Sequence, residues 1–148
     1  MQFSSSSFAS NALSAAEIYQ QFILTLVAQQ QIMALINAEQ QWAWAGQSGL
    51  EALTLWQHPS LMKEVIVHWP GYRIFPISLD ELLTKVIPVL QREKKHIALN
   101  LDIHGQQVLV PPKQLLTDLK NYLYELERLD PQQFKHLGLP KPRQIRLH

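Results

Sequence analysis

The stretch Ile97-Ala-Leu-Asn-Leu-Asp-Ile-His104 decides the fold class of this chain. Apolar residues alternate with polar ones along it, which is typical of a strand with one face on a core and the other in solvent. Gly105-Gln106 then offers a tight connection, and residues 107–110 supply a strand that returns antiparallel. The pattern therefore predicts a hairpin whose inner face carries Ile97, Leu99, Leu101 and Ile103.

Strand patterns also occur nearer the amino end of the chain. Ile32–Ile36 and Gln41–Ala45 predict another hairpin, with a helix continuing through Leu35 as the alternative for the first run. Glu51–Trp56 predicts a third strand. Tyr72–Ser78 predicts a strand that contains Pro76, and because proline cannot donate to a ladder this strand belongs at an edge or a bulge.

Capping signals mark the helices. Ser14-Ala-Ala-Glu17 has the spacing of a capping box and predicts a helix from about Ala15 to Gln29 or Gln30. Ser78-Leu-Asp-Glu81 repeats this spacing before a second long helix, which Pro88 should kink or loosen because its ring meets a carbonyl of the preceding turn. Pro111-Pro112 opens the last long helix.

A short helix predicted from Pro59 to about Val67 completes the order of elements, α-β-β-β-α-β-α-β-β-α, before a final helical turn that closes at Gly138. Hairpins outnumber crossover connections in this order. We therefore expect an α+β domain with a mainly antiparallel five- or six-stranded sheet and helices packed on it. The expected organisation is a flexible amino-terminal arm (1–13), a single domain (14–139) and a basic carboxyl-terminal tail (140–148).

Composition excludes several classes of protein. The chain has 148 residues, 47% of them hydrophobic and 17% charged, which is typical of a folded domain rather than a disordered chain. With no cysteine, disulfides, thiol nucleophiles and thiolate-bound metals or iron–sulfur clusters are excluded. The apolar run Phe22–Ala28 is far too short to span a bilayer, and no basic residue precedes it as in a secretory signal. We expect a cytoplasmic protein without a membrane partner.

The net charge of +1 hides an asymmetry along the chain. Residues 1–62 contain three acidic and no basic side chains, a balance of −3, whereas residues 63–148 contain thirteen basic and nine acidic ones, a balance of +4. Glutamine supplies much of the polar surface of the first part. A weakly charged face avoids the free-energy cost of desolvating charged side chains at a protein–protein contact. Nucleic-acid binding would need basic side chains among the aromatic ones, and because no Lys or Arg precedes Lys63 we do not expect a nucleic-acid partner.

The sequence offers little for catalysis. Its five glycines form neither a Walker A loop nor a dinucleotide-binding fingerprint. Asp102 and His104 share the outer face of a predicted strand, but a metal site would need at least one further ligand. The acidic pair Asp80 and Glu81 suits the start of a helix. We assign no catalytic, cofactor-binding or metal-binding residue.

Aromatic residues give the strongest functional signal. Tryptophan, tyrosine, arginine and histidine are grouped near strand ends and turns with few acids, a composition that favours contact anchors. The alternative is that two or three of the tryptophans simply close the core. The candidate partner-binding residues are Trp42, Trp44, Trp56, His58, Trp69, Tyr72 and Arg73.

A family resemblance rests on motifs between Trp42 and Tyr122. They are Leu53-Thr-Leu-Trp-Gln-His-Pro-Ser60, Ile77-Ser-Leu-Asp-Glu-Leu-Leu83 with Ile87-Pro-Val-Leu90, and Val108-Leu-Val-Pro-Pro-Lys-Gln-Leu115. In order and spacing they resemble the bacterial family known as domain of unknown function 2750. The resemblance implies a small bacterial α+β domain with no assigned activity. Family members tend to be acidic, whereas this chain is slightly basic, so inferences from charge are not carried over.

These observations predict a non-enzymatic domain that binds another protein or a second copy of itself, with no cofactor. Small single-domain proteins of this class are often immunity-type partners that block a toxin, an argument by analogy of fold. The alternative is a small enzyme or small-molecule-binding protein with a pocket near Trp56, His58 and Trp69.

Overall fold

The structure, a computed structural model, describes residues 13–47 and 49–147, apart from the side chain of Gln47. The predicted arm at residues 1–13 lies outside this part of the chain, except for Leu13. The elements are α1 (Ala15–Gln29), β1 (Gln31–Asn37), β2 (Trp44–Gln47), β3 (Leu50–Leu55), β4 (Tyr72–Ser78), α2 (79–92), β5 (His96–Leu99), β6 (Val108–Val110), α3 (Pro112–Leu129) and α4 (Pro131–His136).

Helix α1 begins and ends as its local sequence dictates. The Ser14 hydroxyl accepts the Glu17 N–H at 3.1 Å, and the Glu17 carboxylate accepts the Ser14 N–H at 3.0 Å. Gln30 ends the helix in the left-handed region with φ 55°. The chain then enters β1 directly, so Ile32–Ile36 is a strand and not a continuation of the helix.

The α+β class is confirmed, but the expected mainly antiparallel sheet of five or six strands is wrong in detail. The described strands form a two-stranded sheet, β1-β4, and a four-stranded sheet in the order β2-β3-β5-β6. β3 and β5 are parallel, and the crossover connection that a parallel pair requires contains β4 and α2. The second sheet is therefore mixed. Isolated bridges from Met33 to Trp56 and from Ile36 to Trp42 link the two sheets. β4 pairs with β1 alone among the described strands, which agrees with the edge position predicted from Pro76.

The strand that decided the fold class is shorter than predicted. β5 ends at Leu99 because Asn100 takes φ 55°, a left-handed conformation that asparagine tolerates. Asp102 then organises a turn, its Oδ1 accepting the N–H groups of His104 and Gln106 at 2.9 Å. Ile103 is 45% exposed, so its predicted place in the core is wrong.

Helix α2 contains the irregularity expected from Pro88. It begins as an α-helix over Leu79–Glu81, widens to a π-helix over Leu82–Val86 and returns to an α-helix over Ile87–Arg92. The N–H of Ile87 donates to the carbonyl of Leu82, one residue further back than in an α-helix. The wider turn makes room for the proline ring in the following one.

The core consists of two clusters on opposite faces of the β1-β4 sheet. The main cluster lies among α1, α2, α3 and the strands, and it includes Leu82, Ile97 and Leu119. The second is covered by residues 59–68, which form 3₁₀ turns at Pro59–Met62 and Val65–His68 in place of the predicted helix.

The carboxyl-terminal segment packs on α3. Pro142 and Ile145 are buried, and Lys120 Nζ donates to the Ile145 carbonyl at 2.9 Å. These apolar residues lie among the basic ones of the predicted tail, and Ile145 contributes to the main cluster. No helix within the described ranges is long and apolar enough to cross a membrane.

Candidate functional site

The structure separates the residues predicted to bind a partner. Trp56 is fully buried in the second cluster, and its Nε1 donates to the Leu101 carbonyl at 2.8 Å. Trp56 is therefore a core residue and not part of the candidate surface. This agrees with the alternative that some of the tryptophans close the core. Its position beside the Met33 bridge, at the junction of the two sheets, accounts for its burial.

His58 and the Trp69–Tyr72 pair lie apart from the other candidates. His58 Nδ1 is 3.2 Å from Gln29 Nε2 at the exposed end of α1. The rings of Trp69 and Tyr72 pack edge to face at 5.4 Å against the second cluster. These side chains stabilise the covering of that cluster and are only partly accessible.

Trp42, Trp44 and Arg73 come together on the opposite face of the sheets. Trp42 and Trp44 flank the buried Ala43, and both pack at the margin of the main cluster. The Trp42 ring meets the ring of Phe75 edge to face at 5.7 Å. The Arg73 guanidinium lies 5.6 Å from the centre of the Phe75 ring, so β4 supplies one end of this group.

Lys95 completes the other end of the group. Its Nζ lies 5.7 Å from the centre of the Trp44 ring and forms an ion pair with Glu51 of β3. Cations placed over aromatic faces in this way gain roughly 0.5–1 kcal/mol at exposed sites. We call Arg73, Phe75, Trp42, Trp44 and Lys95 the aromatic row. The row is a preordered set of half-buried rings with a cation at each end.

A basic groove adjoins the row and shares Lys95 with it. The groove has a volume of about 340 Å³, and it is lined by Leu90, Gln91, Lys94, Lys95, His96, Pro111, Pro112 and Lys113. No acidic side chain lines it, and among the described residues Lys94 and Lys113 form no ion pair. The Nδ1 of His96 is buried and has no hydrogen-bond partner in the described part of the chain.

Lys94 holds its position in the groove at a conformational cost. The N–H of Lys94 donates to Gln91 and that of Lys95 to Leu90, which is the Schellman arrangement at a helix end. The position of Lys94 has φ 57°, where glycine is favoured and another residue costs about 1 kcal/mol. A lysine here places a charge at the carboxyl end of α2 and at the mouth of the groove.

Sequence reasoning found only part of this surface. Composition identified Trp42, Trp44 and Arg73, but no sequence pattern singled out Lys94 and Lys95. Lys113 joins them because β6 pairs with β5, with Val110 opposite Ile97, and brings the start of α3 beside β5. The signal available in advance was the predicted hairpin itself, followed at once by Pro-Pro-Lys113.

A more enclosed groove lies between α2 and the carboxyl-terminal segment. It has a volume of about 370 Å³ and is lined by Asp80, Leu83, Thr84, Pro88, Pro140, Lys141, Gln144, Ile145 and Arg146. The Thr84 hydroxyl donates to the Asp80 carbonyl at 2.8 Å. Charges of both signs line this groove.

The most strongly perturbed titratable group is Tyr19. Burial raises its pKa, and the hydrogen bond of its hydroxyl to Asp118 at 2.6 Å raises it further. The pair ties α1 to α3 at the margin of the main cluster. A phenol that holds its proton so firmly is a poor general base, so its role is structural.

The described residues contain no group of three or more histidine, aspartate or glutamate side chains that could hold a metal ion. Asp102 uses its carboxylate within its own turn, as described above. Together, the row and the basic groove provide half-buried rings and cations at one surface, a combination that is enriched at protein contacts.

The chain matches one protein family over residues 19–119, the family described as protein of unknown function (DUF2750). No curated protein matches the sequence.

Proposed function

The chain belongs to the DUF2750 family of proteins of unknown function, and from that premise we propose that it is a protein-binding domain without catalytic activity. Its contact surface is the aromatic row. The observation that carries the proposal is the ordered contact of Trp42 with Phe75 at 5.7 Å, with Arg73 and Lys95 over the adjoining rings. Tryptophan and arginine dominate the binding energy of protein interfaces.

The geometry of the row lowers the cost of binding. Its rings are held by the main cluster and by one another, so little side-chain entropy is lost when a partner covers them. The side chain of Lys95, which is paired with Glu51, is only 24% exposed. Part of the cost of removing water from Lys95 is therefore already met in the free protein. We expect truncation of Trp42 to weaken binding by about 2 kcal/mol, the size of a hot-spot contribution.

The finer proposal concerns the partner. We propose a bacterial, cytoplasmic protein as the partner, with immunity against a toxin as the biological role. Support for this role is an analogy of fold and the small size of the domain. A second copy of the chain is the other protein partner that the row could accept.

The alternative of a small-molecule pocket near Trp56, His58 and Trp69 has less support. The indole N–H of Trp56 is already used by Leu101, and His58 contacts Gln29 rather than the other two residues. A ligand there would first have to open the second cluster. We therefore place the binding surface on the opposite face.

Site-specific photocrosslinking tests the proposal. A photoreactive phenylalanine derivative at position 42 or 44 is expected to give one discrete adduct in cells, identified by mass spectrometry. Position 67 is the control, because Val67 is apolar and 74% exposed but lies away from the row. An adduct of twice the chain mass identifies a homodimer, and a toxin inhibited by the purified chain identifies immunity.

Affinity measurements with the identified partner complete the test. Trp42→Ala is expected to raise the Kd about thirtyfold, the equivalent of about 2 kcal/mol. Val67→Ala is expected to leave the Kd unchanged. Equal crosslinking at position 67, or no adduct at positions 42 and 44, would contradict the proposed surface.

A further inference from the structure

We propose that the basic groove binds a carboxylate-rich segment of the partner protein, beside the aromatic row. This inference rests on the proposed function and names the chemistry of the partner. It is carried by Lys94 and Lys113, cations without an ion-pair partner among the described residues, which line a cavity of about 340 Å³ with Lys95.

The charges in the groove come from different parts of the chain. Lys94 and Lys95 follow α2, and Lys113 is in the first turn of α3. The amino end of α3 adds partial positive charge of the same sign. Glu51 compensates Lys95 alone, so the charges of Lys94 and Lys113 remain for a bound anion.

Continuity with the row identifies the anion as part of a protein. Lys95 lies over Trp44 and also lines the groove, so one partner can cover both surfaces. An acidic segment next to apolar anchors satisfies both sets of contacts, and electrostatic complementarity of this kind fixes register and speeds association.

The same geometry disfavours a nucleic acid strand. Bases stack on open ring faces, but Lys95 lies over the Trp44 ring and Trp42 packs against Phe75.

A labelled hexaglutamate peptide is the probe for this proposal. Fluorescence anisotropy with the full chain is expected to detect binding at about 20 mM NaCl that weakens at about 200 mM, because salt screens exposed charges. The double variant Lys94→Gln, Lys113→Gln is expected to weaken peptide binding about tenfold. Glutamine suits the left-handed position of Lys94, since Gln30 and Gln40 adopt positive φ in this chain.

The control removes the same charge from another place. Lys63→Gln, Lys135→Gln also lowers the net charge by two, but these exposed lysines lie outside the basic groove, and peptide affinity is expected to stay within about twofold of the original value. Circular dichroism of both double variants checks their folding.

Each other outcome overturns the proposal. Tighter binding of a single-stranded hexathymidylate with the same lysine dependence would assign the groove to nucleic acid. If both double variants bound the peptide equally weakly, the loss of affinity would come from the lower net charge and not from the groove. Failure of the peptide to bind at low salt would leave the groove without this ligand. Crosslinking at positions 42 and 44 does not depend on these lysines, so the proposed function can hold while this inference fails.

Discussion

Replacing Trp56 with phenylalanine is expected to lower the free energy of unfolding by about 2–3 kcal/mol while leaving the aromatic row intact. The indole is fully buried in the second cluster and its Nε1 donates to Leu101 at 2.8 Å. Phenylalanine has no N–H, and the loss of this bond costs about 1 kcal/mol. The smaller ring also leaves a space beside Met62 and Val65 that costs a further 1–2 kcal/mol, roughly.

Urea unfolding followed by far-UV circular dichroism measures this loss. The m-value should stay constant, because the substitution changes the stability and not the surface exposed on unfolding. Trp69→Phe is the matched control, since Trp69 is only half-buried and its edge contact with Tyr72 is retained by a smaller ring. We expect the control to cost less than about 1 kcal/mol.

Two results would refute this reasoning. If Trp56→Phe cost no more than Trp69→Phe, the buried indole would not be an anchor of the second cluster. If Trp56→Phe abolished partner binding at full stability, Trp56 would belong to the contact surface after all.

Tyr19→Phe is expected to cost about 1–2 kcal/mol in urea unfolding, since it leaves the half-buried Asp118 carboxylate without the phenol donor. The cost should shrink once the pH exceeds the ordinary tyrosine value, because the phenol then ionises in the unfolded chain while the raised pKa keeps it protonated in the fold, and a constant cost would contradict this. Gly138→Ala should cost about 1 kcal/mol in thermal unfolding because Gly138 has φ +66°, whereas Gly46→Ala, without positive φ and with open space around it, should be close to neutral. The pKa of Glu17 is lowered by its hydrogen bonds with Ser14, so the stability it contributes is present above the ordinary carboxyl range and is lost as the pH falls through the lowered value; an NMR titration of Glu17 showing an ordinary pKa would contradict the capping box.

Local signals predicted the three long helices well, although the helix expected at Pro59 is a pair of 3₁₀ turns. The capping box at Ser14 and the cap at Ser78 depend on side chains within a single turn, and both form. The effect of Pro88 also follows from its own ring and missing N–H, so the irregular α2 was foreseeable. Such features need no knowledge of distant residues.

Features set by backbone choices or distant pairing were not predictable. The alternating pattern continues past Leu99, but Asn100 takes a left-handed conformation that alternation does not reveal. The parallel pairing of β3 with β5 depends on where α2 packs, which a local pattern does not contain.

The residues of the candidate surface also fall into two groups, those that the sequence predicted and those that only the fold brings together. Composition identified Trp42, Trp44 and Arg73 in advance, and the comparison with known proteins confirmed the resemblance to DUF2750. Lys94 and Lys113 lie on separate elements, and only the fold brings them together. Trp56 could not be distinguished from the surface tryptophans because its burial comes from the junction between sheets.

The pairing of β3 with β5 also sets when the binding surface comes into existence during folding. Lys95 and Glu51, which order one end of the row, are 44 residues apart in the chain. Closing a loop of this length loses entropy before any contact compensates for it, so this pairing forms late compared with the helices. A nascent chain that has not yet extended to β5 contains Trp42 and Trp44 but lacks Lys95, the cation that lies over the Trp44 ring. Partner binding would then require the completed mixed sheet. A destabilised chain would lose its affinity for the partner before its helices unfold.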